Sequence, residues 1–150
     1  MMLIATLLLA TQLDACHVLS TKDVAAVQGE AFTKTTLTTR GGFTTCFYQL
    51  PTFTKSVSLD LMRGGARKYW KENFENEHER EREEPGEKES EPLKVKGIGS
   101  EALWVGARGT GSLFVRKGDS MVRVSVGGAG TEKEKIERSK KLAREALKRL

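Results

Sequence analysis

Two cysteines, Cys16 and Cys46, and two histidines, His17 and His78, are the side chains of this 150-residue chain best suited to covalent or metal chemistry. Thirty positions separate the cysteines. An even count in an exported chain reads as one intramolecular bridge. In the loop-entropy description a bridge of this span contributes about 3 to 4 kcal/mol, a large share of the stability of a small domain. Two other uses of the sulfurs stay open. Leu13-Asp-Ala-Cys16 has the outline of a lipoprotein cleavage box, in which Cys16 becomes a lipid-bearing N-terminus and Cys46 loses its partner, although Asp14 stands where a small neutral residue is usual. A zinc site is poorly supported, because the cysteines and histidines lack the tight spacing of a ligand set.

Two glycine-rich stretches also carry candidate chemistry. Gly97-x-Gly99-x-x-Ala102 matches a short dinucleotide fingerprint on paper, but that motif needs a strand before it and a helix after, and here strand-forming Leu103-Trp-Val105 follows. The glycines more simply allow a tight turn at positive φ. That turn, with Gly97, Gly99, Ser100 and Arg108, is the candidate binding site. Gly106 to Ser112 has neither a Gly-Lys-Ser/Thr sequence nor a helix start to offer amide donors to a phosphate, and it reads as a hairpin loop.

Catalysis finds no constellation. His17 adjoins Cys16, His78 sits in a charged run, and neither has a Ser or Cys partner to activate. Carboxylates crowd together only between Glu75 and Glu91, where hydration keeps them ordinary acids. The same segment has no Asp and no EF-hand register, so it is read as a solvated face and not as a calcium site. No metal or cofactor is expected, and the chain is read as a non-enzyme, with an enzyme of unrecognised site as the alternative.

The charge is divided unevenly. Glu75 to Glu91 holds nine acidic residues against Arg80, Arg82 and Lys88, a net of −6, which leaves +11 for the rest of a chain whose formal charge is +5. A basic surplus favours acidic surfaces such as anionic lipid or wall polymers, though dispersed lysines more often serve solubility. RNA binding would require exposed aromatics among the basic residues, and the patterns around Tyr69, Trp70 and Trp104 predict burial instead. The run Met1-Met-Leu-Ile-Ala-Thr-Leu-Leu-Leu-Ala10 is too short to span a bilayer and suits a signal-peptide core, although no Lys or Arg precedes it. Residues 1–15 are therefore read as a leader, with cleavage after Ala10 or Ala15, and 16–150 as one domain with an acidic insert at about 75–92.

The elements that must position these groups follow from pattern. Ser20-Thr-Lys-Asp23 is a capping box opening a short helix that stops at Gly29. Ala31 to Arg40 and Phe43 to Leu50 read as strands around Gly41-Gly42, and Val57-Ser-Leu-Asp-Leu61 alternates as a third. After Gly64-Gly65, the residues Ala66, Tyr69, Trp70 and Phe74 recur at helical spacing as a stripe that packs on a sheet. The charged run beyond Phe74 can prolong that helix into solvent as far as Pro85-Gly86, which ends it, and the rest, to Pro92, reads as a mobile acidic loop. Ala102 to Ala107, Ser112 to Lys117 and Met121 to Val126 give three more strands. Thr131-Glu-Lys-Glu134 caps a closing helix whose apolar stripe is Ile136, Leu142, Ala143, Ala146, Leu147 and Leu150. The expected fold is α+β, an antiparallel sheet of about six strands with helices packed against it, in the order α-βββ-α-βββ-α, a layout like a degenerate duplication.

Cys16-His-Val-Leu-Ser-Thr-Lys-Asp-Val24, Gly29, Cys46-Phe-Tyr48, Val95-Lys-Gly-Ile-Gly-Ser-Glu-Ala102, Leu113-Phe-Val-Arg-Lys-Gly-Asp119 and Leu142-Ala-Arg-Glu-Ala-Leu147 together resemble a family of small uncharacterised bacterial envelope proteins and lipoproteins. That family's pattern is Cys-x-Leu-Leu-Thr, then Cys-x-Tyr, then Gly-x-Gly-Asp-x-Ala before a strand. The resemblance spans Cys16 to Leu150 apart from the insert. Ser100 stands in place of the usual Asp and Ser20 in place of a Leu. The resemblance implies that the cysteines pair and that the domain is extracytoplasmic, and it implies no activity. The expected function is thus an extracytoplasmic binding or interaction module, using an open sheet face or the crevice beside the Gly97 to Ser100 turn. Its partner would be a protein, an envelope polymer or a small ligand, with membrane contact only through a leader or lipid anchor. A cytosolic partner-binding protein with reduced thiols is the other alternative.

Overall fold

A computed structural model describes residues 14–75, 91–107 and 110–150. The body of the expected leader, His78, Arg108 and most of the acidic insert, including any prolongation of the helix beyond Glu75, lie outside the described residues.

A turn at residues 14–19 leads into α1 (Thr21–Gln28). The capping box forms in both directions: the Ser20 hydroxyl accepts from the Asp23 N–H, and the Asp23 carboxylate accepts from the Ser20 N–H. The helix closes at Gly29. Strands β1 (Lys34–Arg40) and β2 (Phe43–Gln49) meet through Gly41 and Gly42, whose φ values of 55° and 84° give the left-handed turn that matches strand twist. A 3-10 turn at Phe53–Lys55 precedes β3 (Val57–Arg63). Then come α2 (Ala66–Trp70), a π-helical turn at Lys71–Glu75, β4 (Leu93–Lys94), β5 (Glu101–Ala107), β6 (Thr110–Lys117), β7 (Ser120–Val126) and α3 (Glu132–Lys148).

The strands form one sheet in the order β1-β2-β3-β7-β6-β5-β4, and every described pairing is antiparallel. The fold is the expected α+β sheet with packed helices, carrying seven strands where about six were expected. The extra one, β4, pairs only Leu93 with Trp104 and Lys94 with Leu103, too short a stretch to leave an alternating pattern. Two three-strand meanders meet at β3 and β7, as a duplicated layout would place them. Their leading helices nevertheless lie on opposite faces: α1 sits beside α3, while α2 covers the other side.

Alternation decides the faces. Val57, Leu59 and Leu61 of β3, Val122, Val124 and Val126 of β7, and Leu113 and Val115 of β6 point toward α1 and α3. There they meet Val24, Leu142, Ala143, Ala146 and Leu147 in one continuous core. Trp104 joins this core across Gly111, where a Cβ would lie 2.2 Å from the indole Cζ2, so only glycine admits the ring. The opposite face carries a smaller cluster, Met62, Phe114 and Met121 under Ala66 and Trp70, with Phe43, Tyr69 and Phe74 at its margin. The aromatic stripe is core, as its helical spacing predicted.

Cys16 and Cys46 form a disulfide with their α-carbons 5.0 Å apart. It ties the turn before α1 to the middle of β2. Beside it Tyr48, fully buried, donates its hydroxyl to the Ala15 carbonyl, and Ala15 is itself fully buried. Packing therefore extends back through Ala15, one residue beyond the expected boundary at Cys16. Gln28, another buried polar side chain, donates to the carbonyls of Lys55 (2.8 Å) and Gly127 (3.0 Å) and accepts from Arg138, so one amide joins α1, the 3-10 turn, the end of β7 and α3.

Candidate functional site

Among the described residues, the second face of the sheet is covered by helix at one end only. α2 and its π-helical turn together run ten residues, from Ala66 to Glu75, about 15 Å of helix. They lie over the C-terminal end of β3 and the N-terminal end of β7, and Asp119 in the β6–β7 turn holds them there. Its carboxylate accepts from the N–H groups of Gly65 and Arg67, each at 3.0 Å, and serves as a remote cap for a helix whose own N-cap is glycine. These two amides hold the Asp119 carboxyl below the usual carboxylate range.

Beyond the helix the outward side chains form two cross-strand rows. In the first, Thr45, Asp60, Arg123 and Phe114 stand side by side on β2, β3, β7 and β6. Asp60 accepts from the Thr45 hydroxyl at 2.8 Å and from the Arg123 guanidinium at 3.4 Å. The guanidinium also lies 5.2 Å from the centre of the Phe114 ring. In the second row, Phe47, Ser58, Ser125, Ser112 and Val105 follow one another from β2 to β5. The Ser112 and Ser125 hydroxyls are 2.6 Å apart. This row is the floor of a groove of about 530 Å³, which Thr54, Thr110 and Lys135 help to line. Phe53 of the 3-10 turn, 64% exposed, lies beside Phe47, with the two ring centres 5.7 Å apart.

Chemically this is a surface of hydroxyls with an aromatic wall. Hydroxyls both donate and accept, so the half-buried Ser58 and Ser125, the latter backed by the buried Ser112, can follow a ligand's own hydroxyl or amide pattern, and the Phe47–Phe53 pair offers an apolar ring face. A serine nucleophile needs an adjacent base. His17, the described histidine, lies instead beside the disulfide, its Nδ1 2.7 Å from the Asp14 carboxylate. Among the described residues no three His, Cys, Asp or Glu side chains converge as a metal site would require.

The sequence-derived candidates fall elsewhere. Gly97, Gly99 and Ser100 do lie together in one turn, and Gly97 and Gly99 have φ values of 81° and 62°. This turn folds back on the β6–β7 hairpin. A Cβ on Gly99 would meet Val115 Cγ1 at 2.6 Å and the Arg116 carbonyl at 2.7 Å. The Ser100 N–H donates to that same carbonyl, and its hydroxyl accepts from the Gly118 N–H at 3.1 Å. Ser100 is thus engaged within the fold. Arg108 lies outside the described residues. Ser58, Ser112 and Ser125 were legible only as outward polar positions on three separate strands, and nothing local in the sequence lines them up.

No family model matches the chain, and no curated protein matches it. Among solved structures, a GTP-binding regulator from Thermotoga maritima is similar to it, with 13% identity, a TM-score of 0.49, and coverage of 87% of this chain and 89% of that one.

With Cys16 bonded to Cys46, the sulfur that a lipid anchor would require is already in use. Trp104 and Trp70 are buried and Tyr69 is half-buried. Among the described residues no helix is long and apolar enough to cross a membrane.

Proposed function

We propose that this chain is an exported, non-catalytic binding module that takes a neutral, hydroxyl-bearing ligand on the open half of its second sheet face. The observation that carries the reading is the row Phe47, Ser58, Ser125, half-buried and uncovered by any helix among the described residues, with the exposed Phe53 ring beside Phe47. Neutrality is supported by the charges in view: of the two cations that line the groove, Arg123 is paired with Asp60 and Lys135 is engaged within the fold, and the row itself carries no ionised group. The compartment is supported by the disulfide, because thiol pairs of this kind persist outside the reducing cytosol. The motif likeness to small bacterial envelope proteins supports the same location. Removal of a leader after Ala10 would fit the packing, whereas cleavage after Ala15 would delete the carbonyl that Tyr48 holds.

Amide chemical shifts recorded while neutral oligosaccharides are titrated into the oxidised protein test this reading. The expected result is a saturable set of perturbations confined to Phe47, Phe53, Ser58, Ser112 and Ser125. Perturbations centred on α3 or on the Gly97 to Ser100 turn would contradict it. The cytosolic alternative is separated by the redox state of the cysteines in the native cell.

A further inference from the structure

We infer that the free edge of β1 is a second binding site, which accepts an extended peptide with a carboxylate at each end as an added antiparallel strand. The two edges of the sheet are built differently. At one end β4 is two residues long and offers little to pair with. At the other, β1 runs seven residues in register with β2, from Lys34 opposite Gln49 to Arg40 opposite Phe43, and among the described residues no strand pairs with its outer side. All seven residues are exposed, on both faces, because neither α1 nor α2 reaches over them. Leu37 at the centre is 45% exposed.

Long edge strands are usually blunted by proline, a bulge, or charges along their length. Lys34-Thr-Thr-Leu-Thr-Thr-Arg40 has no proline, pairs with β2 without a bulge, and keeps its charges at the two ends. Both charges fall on one face, with Thr36 and Thr38 between them, since side chains alternate along a strand. Among the described residues neither Lys34 nor Arg40 has an ion-pair partner.

Those ends select the occupant. A second copy paired about a two-fold axis at Leu37 would set Lys34 opposite Arg40 at both ends of the ladder, and like charges directly opposite are destabilising. The positions that oppose self-pairing attract a strand with Glu or Asp facing each of them. Main-chain hydrogen bonds then supply affinity, and an apolar or β-branched residue facing Leu37 supplies fit. Thr36 pairs with Phe47 at the near end of the serine-lined groove, but the added strand uses the outer main chain of β1 and the groove uses side chains, so each surface can be disabled without the other.

The probe is a labelled heptapeptide, Glu-Val-Thr-Val-Thr-Val-Glu with blocked ends, titrated into the oxidised full chain and read by fluorescence anisotropy and amide exchange. The expected result is saturable binding that slows exchange in β1 and survives F53S. It should weaken about tenfold in K34E/R40E. A Lys-ended heptapeptide should prefer that double variant over the wild type. Equal binding of a heptapeptide N-methylated at alternate amides would overturn the inference, because the ladder would then not be in use. Indifference to the charge swap, or a dimer in sedimentation that the peptide does not dissociate, would overturn it as well.

Discussion

The two faces of this sheet are made by the same strands, one residue out of phase, and they do opposite work. Under α1 and α3 the inward residues Val57, Leu59 and Leu61 of β3 and Val122, Val124 and Val126 of β7 are aliphatic and buried, and the covalent link, the Tyr48 hydroxyl and the Gln28 amide all fasten elements on that side. On the far side α2 is a short helix held by a remote aspartate, and past its end the row turns from methionine and phenylalanine to serine. Stability is concentrated where the fold is covered. Substitutions on the two faces should therefore differ in kind as well as in size.

The largest effect is expected on the covered side. Cys46→Ser, which opens the 30-residue loop, should lower stability by about 3 to 4 kcal/mol. Calorimetry should then show a melting temperature on the order of 10 °C lower. A fall of only a degree or two would mean that the covered face does not depend on its bridge. Gly111→Ala comes next: the added methyl collides with Trp104, and overpacking of this kind costs about 1 to 3 kcal/mol. Denaturant titration should place it between the cysteine variant and any groove variant.

Tyr48→Phe should cost about 1 kcal/mol through the lost hydrogen bond to Ala15. It also carries a pH signature. Burial pushes the Tyr48 phenol above the usual tyrosine range. The folded chain thus keeps a proton that the unfolded chain releases near pH 10, and this contribution is intact below about pH 10 and lost as the pH rises further. Wild type should therefore lose stability above pH 10 more steeply than Tyr48→Phe. An identical alkaline profile for the two would show that the phenol is not shielded as described.

Acid should probe the open side. The Asp119 carboxyl is held low by the Gly65 and Arg67 amides, so its hold on α2 is complete above about pH 4 and is lost as the pH falls below that. Amide exchange in residues 66–75 should accelerate below pH 4 in wild type, and Asp119→Asn should show the fast exchange already at neutral pH. Slow exchange in the variant would mean that α2 is fixed by its aromatics alone. The smallest stability effect belongs to the groove: Phe53→Ser and Ser58→Ala should stay within about 0.5 kcal/mol of wild type. Their loss should appear in ligand binding instead.

Much of the fold was legible because its signals are local. Ser20 and Thr131 cap helices, Gly41-Gly42 turns a hairpin, and Val57 to Leu61 alternates strictly; each of these is set by a few neighbouring residues. The meeting of β3 with β7 was not legible, because the two strands are some sixty residues apart and their pairing depends on burial shared across the whole sheet. The remote cap from Asp119 and the four-element junction at Gln28 escaped for the same reason. The candidate site was the least legible part. Glycines at 97 and 99 draw attention in a sequence, yet Gly99 is set by close packing against Val115 and Arg116, and Gly97 by its positive φ alone. The serines that line up across β3, β7 and β6 look like any outward polar residue until the register is known.

The account rests most heavily on the bond between Cys16 and Cys46 closing in the protein's own compartment. Protein taken from its native cell, treated with an alkylating agent before and after reduction and then weighed, tests this directly. The account predicts no adduct before reduction and two after it. Two adducts on the unreduced protein would contradict it, and would leave the exported binding role without its main support.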